Sequence, residues 1–189
     1  ARRGMERRGE LARAKPGQVS FAYASTSQQV SSEMLSTMAG VKMNPIPYKS
    51  GPAAMTDLIG GQVMMFCADF AVTVPQHKAG KIRGLAVTST KRAAAVPDLP
   101  TVNEALGLKD YELIAYFAVF APAGTPPDVV AKLNTELNRI FASQEAKDKL
   151  GPQGFDLAPP MAPATFGKLI VDDLAKWVPI VKAAGATAN

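Results

Sequence analysis

Short apolar runs alternate with amphipathic stretches over the first ninety residues of the chain. A short β-type run predicts a strand at residues 19–23, and residues 41–47 are also predicted as a strand. Continuous apolar runs predict buried parallel strands at residues 63–67 and 82–88. Helical spacing of apolar side chains predicts helices between them at residues 27–39, 52–59 and 72–79. Such alternation predicts right-handed crossovers and a doubly wound α/β sheet, with helices on both faces.

The pattern changes in the second half of the chain. A proline-containing loop at residues 91–100 precedes a short predicted helix at residues 102–106. Residues 111–121 form an apolar run that is extended enough to pass from one lobe to another. Further helices are predicted from Thr125 as N-cap to residue 141, at residues 144–150 and at residues 163–183. Apolar stripes on the first and last of these predict a buried core.

Charge is concentrated at one end of the chain. The net charge is +5, and residues 1–15 hold six basic and two acidic side chains, which leaves only +1 for the remainder. A nucleic-acid surface needs basic residues spread along a face with stacking aromatics. The sequence therefore excludes nucleic acid as a partner, and residues 1–15 are predicted to form a basic helix with a solvated face.

Cysteine and histidine occur once each, as Cys67 and His77. One of each excludes an internal disulfide and a zinc cluster, so no metal or cofactor is expected. Cys67 lies in an apolar run and is predicted to be a buried, inert thiol, whereas His77 is predicted at an exposed helix end. No apolar run reaches the length of about 20 residues that a membrane-spanning helix needs.

Enzymatic chemistry has little support in the residues. No nucleophile elbow, zinc-binding helix motif or phosphate-binding loop is present. Asp69 follows a predicted strand and could be a general base, a helix cap or a hydrogen-bond acceptor for a ligand. We therefore assign no catalytic residue and expect a protein that is not an enzyme, with catalysis through Asp69 as the least favoured alternative.

Two loops are suited to binding a carboxylate, because each joins a strand end to a helix N-terminus. The first contains Ser25, Thr26, Ser27 and Gln28, more short polar side chains than one N-cap needs. A solvated loop in which Ser27 caps the helix is the alternative. The second contains Ser50 as a possible cap, Gly51 for close backbone approach, and the positively charged Lys49. Strand ends of a doubly wound sheet open onto one crevice, so Asp69 belongs to the same rim.

A longer stretch of sequence carries a family resemblance. The run from Ile46 to Val63 reads IPYKSGPAAMTDLIGGQV and resembles the VPYKG…ALTDLLGGQV signature of the Bug-type, TctC-like receptors. Those receptors are the extracytoplasmic solute-binding proteins of tripartite tricarboxylate transporters. Similar segments follow, in order, at residues 65–69, 75–88, 91–92, 97–102 and 120–126. The resemblance extends from residue 15 to the C-terminus.

The resemblance implies a periplasmic-binding-protein type II-like fold of two lobes that close on a small carboxylate or amino acid. By position, the ligand contacts would be residues 25–28, Ser50, Gly51 and Asp69. The first loop lacks the glycine of commoner family versions, which affects how closely a ligand reaches the backbone there.

The length of the chain modifies this expectation, since family members run to roughly 300 residues. The resemblance implies a chain without the N-terminal part of the first lobe. Residues 1–15 would be the basic helix, residues 16–106 a complete α/β ligand-binding lobe, and residues 107–189 the crossover strand and helices of the incomplete other lobe. Uncovered apolar surface would favour a homo-oligomer.

The expected function is that of a periplasmic receptor, or a fragment of one, that delivers its solute to membrane transporter subunits. The periplasmic location is implied by the family alone, because the chain shows no signal peptide. A ligand-sensing protein that signals to a membrane partner without transport is the main alternative, since it would use the same capture chemistry.

Overall fold

The structure is a computed structural model that describes residues 2–183 of the 189. Its helices and strands follow the predicted order along the chain. They are α1 Arg2–Ala14, β1 Ser20–Tyr23, α2 Thr26–Met38, β2 Asn44–Pro47, α3 Gly51–Ile59, β3 Met65–Phe66, α4 Phe70–Lys78, α5 Val102–Leu106, α6 Pro127–Ala142, α7 Gln144–Leu150 and α8 Pro163–Ala183. Contacts divide the described chain into two compact units, one of residues 2–115 with 180–183 and one of residues 116–179.

The first unit is built on a three-stranded parallel sheet with strand order β2-β1-β3. Phe21 of the central strand lies opposite Pro45 on one side and Met65 on the other. Because successive side chains of a strand point to opposite faces, Phe21 and Ala22 enter different cores. Both are fully buried, so the sheet is covered on both faces.

The two cores contain different helices. Phe21 packs in a cluster with residues from α1, α2 and α5, including Met5, Leu35 and Val102. Ala22 packs in a second cluster with Ala54 of α3. Helices therefore cover opposite faces of one parallel sheet, and the predicted doubly wound α/β fold is confirmed.

One predicted strand is wrong. Of residues 82–88, only Val87 makes a bridge, parallel to Thr101, and this segment forms no further strand pairs in the described part of the chain. Its apolar side chains are buried in another way, since Leu85 and Ala86 pack against the first core. An apolar run satisfies the hydrophobic effect wherever it is covered, whereas a strand also needs a neighbour for its backbone hydrogen bonds. The apolar run 63–67 likewise pairs only at Met65–Phe66.

Helix α1 has the solvated face expected from its charges and also contributes to the core of the first unit. Met5 and Ala12 are buried against the sheet. Arg8 is half-buried, its Nε has no hydrogen-bond partner, and burial together with nearby Arg83 lowers its pKa. The helix therefore turns an apolar stripe inward and keeps most of its charge at the surface.

The second unit has little buried core. Among the described residues of α6 to α8, only Ala146 is buried. The apolar stripes on α6 and α8 lie on helices, as predicted, but they do not form the buried core that was expected of them. Val129, Leu133 and Leu174 are 42%, 51% and 59% exposed. The N-cap of α6 is Pro126 rather than Thr125, whose Oγ1 donates to the Pro122 carbonyl oxygen at 2.8 Å.

A buried hydroxyl of the first unit joins elements that are far apart in sequence. Tyr111 is 1% exposed. Its Oη donates to the Ser31 carbonyl oxygen at 3.0 Å and lies 2.8 Å from Ser31 Oγ. Ser31 Oγ lies 2.9 Å from Cys67 Sγ, and the side chain of Asn103 bonds both the N–H and the C=O of Tyr111. This network connects α2, the end of β3 and α5.

We expect Tyr111→Phe to lower the free energy of unfolding at pH 7 by about 1–3 kcal/mol, because buried polar groups of Ser31 lose their partner. Burial raises the pKa of Tyr111 above its ordinary value. The folded protein then keeps the phenol neutral while the unfolded chain ionises near pH 10, so wild-type stability from this group is lost as pH rises above 10.

The variant lacks this loss, so its deficit should shrink at pH 10.5 by about 0.8 kcal/mol. Urea unfolding at both pH values measures the difference, with Tyr23→Phe as the control. A deficit that is absent at pH 7, or that is equal at the two pH values, would contradict the role of this hydroxyl.

Candidate functional site

The start of α2 lies directly after the central strand. Ser25 is the N-cap, and its Oγ accepts the Gln28 N–H at 3.4 Å and lies 3.1 Å from Ser27 Oγ. Gln28 Oε1 in turn accepts the Ala24 N–H at 2.8 Å, which fixes the entry to the helix. The amides of Thr26 and Ser27 precede the first residue that bonds within the helix, so they face outward. Ser25 is therefore the cap, not Ser27, and it leaves two exposed residues with outward amides.

The start of α3 repeats this arrangement after β2. Ser50 is the N-cap, and its Oγ accepts the Ala53 N–H at 3.4 Å, as the sequence predicts. Gly51 is the first helical residue, and Pro52 has no amide hydrogen. A Cβ at Gly51 would meet no atom within 4 Å. The space on the Cβ side of Gly51 is therefore open, and Lys49, two residues earlier, is exposed.

The start of α4 differs because its cap residue is acidic. Asp69 occupies the N-cap position with extended backbone, but its side chain makes no capping hydrogen bond. Its carbonyl oxygen instead accepts the N–H groups of Val72 and Thr73, both at 3.1 Å. Of the three interpretations of Asp69, side-chain capping is thus wrong, and the exposed carboxylate stays available to accept hydrogen bonds from a ligand.

Strand order brings these three helix starts to one edge. Parallel strands end on the same side of a sheet, and neighbours are about 4.8 Å apart. The loop with Ser25 follows the central strand, so it adjoins both the loop with Ser50 and the residue Asp69. The connection after β1 leads to β2 on one side, while β3 lies on the other, and this reversal marks the usual ligand crevice of a doubly wound sheet.

The electrostatic potential at this edge favours the binding of anions near the N-termini of α2 and α3. Each helix N-terminus has a partial positive charge of roughly half a unit, and the first turns of α2 and α3 contain no acidic side chain. Lys49 adds a full charge. Asp69 supplies the opposite charge at the third helix start. The edge can therefore hold a carboxylate through amides and hydroxyls, with a hydrogen-bond acceptor at one side.

Sequence reasoning missed the role of Tyr48 beneath the second loop. Its N–H donates to the Tyr23 carbonyl oxygen at 2.8 Å and extends the sheet by one residue. Its Oη donates to Asp57 Oδ2 at 2.8 Å, and desolvation together with this bond raises the pKa of Tyr48. The tyrosine therefore attaches the loop to α3. The sequence did contain a signal for this role, because Tyr48 directly follows a predicted strand and the next predicted helix contains the acidic residue Asp57.

Cys67 and His77, the one cysteine and the one histidine of the sequence, agree in part with what the sequence predicts. Cys67 is half-buried, and desolvation of its thiol raises its pKa, which disfavours the reactive thiolate. His77 is half-buried rather than exposed, and its Nδ1 accepts the Gly84 N–H at 3.3 Å. Within the described part of the chain, no three histidine, cysteine, aspartate or glutamate side chains are grouped so that they could hold a metal ion.

A cavity of the first unit approaches this edge at Ala68 and Phe70, which flank Asp69. It has a volume of about 450 Å³ and lies between residues 64–68 and residues 81–88. None of the seven predicted ligand residues lines it. Those residues lie on an open rim instead, so the geometry brings together neighbouring helix starts without enclosing a ligand. Among residues 2–183, no helix has the length and apolarity to cross a membrane.

Comparison with known proteins agrees with the resemblance seen in the sequence. The model of the tripartite tricarboxylate transporter family receptor matches residues 5–186. BugT of Bordetella pertussis is 31% identical over 176 residues, which cover 92% of this chain and 53% of BugT. This chain spans about half the length of the first curated relatives it matches.

Solved structures are similar in fold. Rpa4515 of R. palustris, solved with adipate, has a TM-score of 0.85 at 31% identity, with 94% of this chain and 59% of that chain covered. MatC of Rhodopseudomonas palustris, solved with bound malate, has a TM-score of 0.80 at 25% identity over 93% of this chain and 61% of that one. The periplasmic-binding-protein fold is thus confirmed, and the chain belongs to the tripartite tricarboxylate transporter family of receptors.

Proposed function

We propose that this chain binds a small carboxylate at the carboxyl edge of its parallel sheet, as part of a solute receptor. The observation that carries the proposal is the pair of serine-capped helix starts beside the central strand, each with outward backbone donors. Hydrogen bonds to a charged acceptor are roughly twice as strong as neutral ones. A carboxylate is therefore the ligand group that these donors favour most.

Support for the ligand class also comes from relatives. Adipate and malate, the molecules in the two similar structures, are both small dicarboxylates. The proposed contacts in this chain are Ser25, Thr26, Ser27, Gln28, Ser50, Gly51 and Asp69. Gln28 differs from the rest, because its Oε1 is already bonded to the Ala24 amide. The side-chain Nε2 of Gln28 is then the donor that it can offer to a ligand.

The wider role follows from family membership. We infer a periplasmic receptor that passes its solute to membrane transporter subunits and performs no catalysis. Residues 16–106 would serve as one ligand-binding lobe, and residues 107–189 as part of the other. The contact boundary between Ala115 and Tyr116 lies close to this division. Helix α1, which the sequence separates as residues 1–15, packs against α5 and would act with the first lobe.

Gly51→Ala tests the backbone contact directly. The added methyl group meets no atom within 4 Å apart from its chain neighbours, although Pro52 disfavours helical backbone at a preceding residue that carries a Cβ. A bound carboxylate would occupy the same space, so the folded variant should bind adipate and malate at least tenfold more weakly, and its unfolding temperature without ligand is recorded beside that of the wild type. Thermal shift and titration calorimetry measure the two effects.

Gly167→Ala in α8 is the matched control, because a Cβ there also meets nothing within 4 Å. It should leave ligand binding unchanged. At 100 times its dissociation constant, a ligand stabilises the wild type by about 2.7 kcal/mol. If ligand raises the unfolding temperature of wild type and of Gly51→Ala equally, Gly51 does not contact the ligand. If no small carboxylate raises the unfolding temperature of the wild type, the proposed function is refuted.

Lys49→Gln tests the charge at the rim. We expect affinity for a dicarboxylate to fall about two- to fivefold, or roughly 0.4–1 kcal/mol, because an exposed charge is screened. The loss should shrink as salt is raised. Lys42→Gln is the control, since Lys42 is also exposed but precedes β2, at the opposite edge of the sheet. Equal losses in both variants would indicate a general charge effect rather than a local contact.

Asp69→Asn tests the acceptor at the third helix start. Malate has a hydroxyl group that can donate to Asp69, whereas adipate has none. Because a charged acceptor forms the stronger hydrogen bond, the variant should lower the ratio of malate to adipate affinity about three- to tenfold. No capping bond is lost, and loss of the charge at the α4 N-terminus should lower the free energy of unfolding by at most about 1 kcal/mol. An unchanged ratio, measured by calorimetry, would exclude Asp69 from ligand selection.

A further inference from the structure

Residues 67–69 lead from the sheet to Asp69 at the ligand edge, but they lie beyond the paired part of β3. The pairing of β3 with β1 ends at Phe66, and Asp69 then begins α4. Backbone pairing with the central strand therefore does not fix the acidic residue. Ser31 of α2 supplies a side-chain contact to this segment, because its Oγ lies 2.9 Å from Cys67 Sγ. The contact is formed by a serine that is only 1% exposed.

The hydrogen bonds around Ser31 have a defined direction, because each hydroxyl group carries a single proton. Tyr111 Oη donates its proton to the Ser31 carbonyl oxygen, which can only accept. Ser31 Oγ lies 2.8 Å from the same Oη and must therefore donate to it. Its own proton is thereby used, so Ser31 Oγ accepts the S–H of Cys67. The bonds thus run in one direction, from Cys67 through Ser31 and Tyr111 to the backbone of α2.

The charge of Asp69 acts on the thiol at the start of these bonds. Burial raises the pKa of Cys67, and the Asp69 carboxylate raises it further, so the thiol keeps the proton that it donates. Coulombic effects fall with distance, so the carboxylate lies near this thiol. Ser27, one of the residues with an outward amide, precedes Ser31 by one turn of the same helix. Ser31 therefore lies between the amide donors of α2 and the acceptor Asp69.

We propose that Ser31 is a positioning residue that holds Asp69 at a fixed distance from the outward amides of α2 and so sets the preference of the site for hydroxylated over plain dicarboxylates. The inference rests on the proposed function, because it concerns which carboxylate the same site selects. The α2 amides bind a carboxylate group of the ligand, and Asp69 accepts its hydroxyl proton. An O–H···O bond needs 2.5–3.0 Å between its oxygens, roughly, so a small displacement of Asp69 weakens the hydroxyl contact alone.

Ser31→Ala tests this role. The ratio of malate to adipate affinity, measured by calorimetry, should fall about two- to fivefold, because Asp69 keeps its charge but is no longer held in place. In a protein that already carries Asp69→Ala, the same substitution should leave the ratio unchanged, since the acceptor is absent. A serine that only stabilised the core would change both affinities equally. The double-mutant cycle therefore separates positioning from a loss of stability.

Ser36→Ala is the matched control. Ser36 is another buried serine of α2, but its Oγ donates to the Val41 carbonyl oxygen at 2.6 Å, beyond the C-terminal end of the helix. This variant should lose stability and keep the ratio.

Substitution of Cys67 gives a second pair of variants that leaves Ser31 intact. Cys67→Ser keeps a donor for Ser31 Oγ and should keep the ratio of malate to adipate affinity. Cys67→Ala has no such donor and should lower the ratio as Ser31→Ala does.

Amide signals of the ligand-free protein provide a measurement that needs no ligand. Ser31→Ala should shift the amide signals of residues 68–70, and Ser36→Ala should leave them in place. Unmoved signals in Ser31→Ala, a ratio unchanged in Ser31→Ala or Cys67→Ala, or a lowered ratio in Ser36→Ala would overturn the inference and leave the proposed function intact. A wild type that binds neither acid would overturn the proposed function, and this inference with it.

Discussion

Parallel pairing on both sides of β1 is the constraint from which the other features follow. It points the carboxyl ends of all three strands to one edge, and each end leads directly into a helix. Three helix N-termini thereby lie side by side without any long-range loop. Serine caps at α2 and α3 use one hydroxyl each and leave outward amides, so the same hydrogen bonds that begin the helices also create the donors for an anion.

Polar side-chain contacts, buried at Tyr111 and part-buried at Tyr48, hold the elements of this edge together. Tyr111 joins α2 to the end of β3 through Ser31 and Cys67, and Tyr48 joins the second loop to α3. Buried hydrogen bonds of this kind contribute little net stability, but a missing partner costs more than the bond contributes. They therefore fix one arrangement of the three helix starts, which a binding site made of backbone groups requires.

The sequence predicts the elements of the first unit well, where local signals and tertiary contacts agree. Serine, glycine and proline around residues 50–52 mark a helix start that the structure confirms. Residues 82–88 were predicted wrongly because an apolar run reveals burial and not the presence of a pairing neighbour. Tyr111 could not be assigned its role, since its partner Ser31 is eighty positions away. The stripes of α6 and α8 show correct periodicity, but periodicity does not show whether another layer covers them.

A nitrogen-resolved NMR titration with malate would show directly whether the outward backbone amides at the carboxyl edge hold a carboxylate. We expect saturable downfield shifts of the Thr26, Ser27 and Gly51 amides. Amides at the opposite edge, such as that of Lys42, should keep their chemical shifts. Shifts confined to the cavity between residues 64–68 and 81–88, with those three amides unmoved, would contradict this mode of binding.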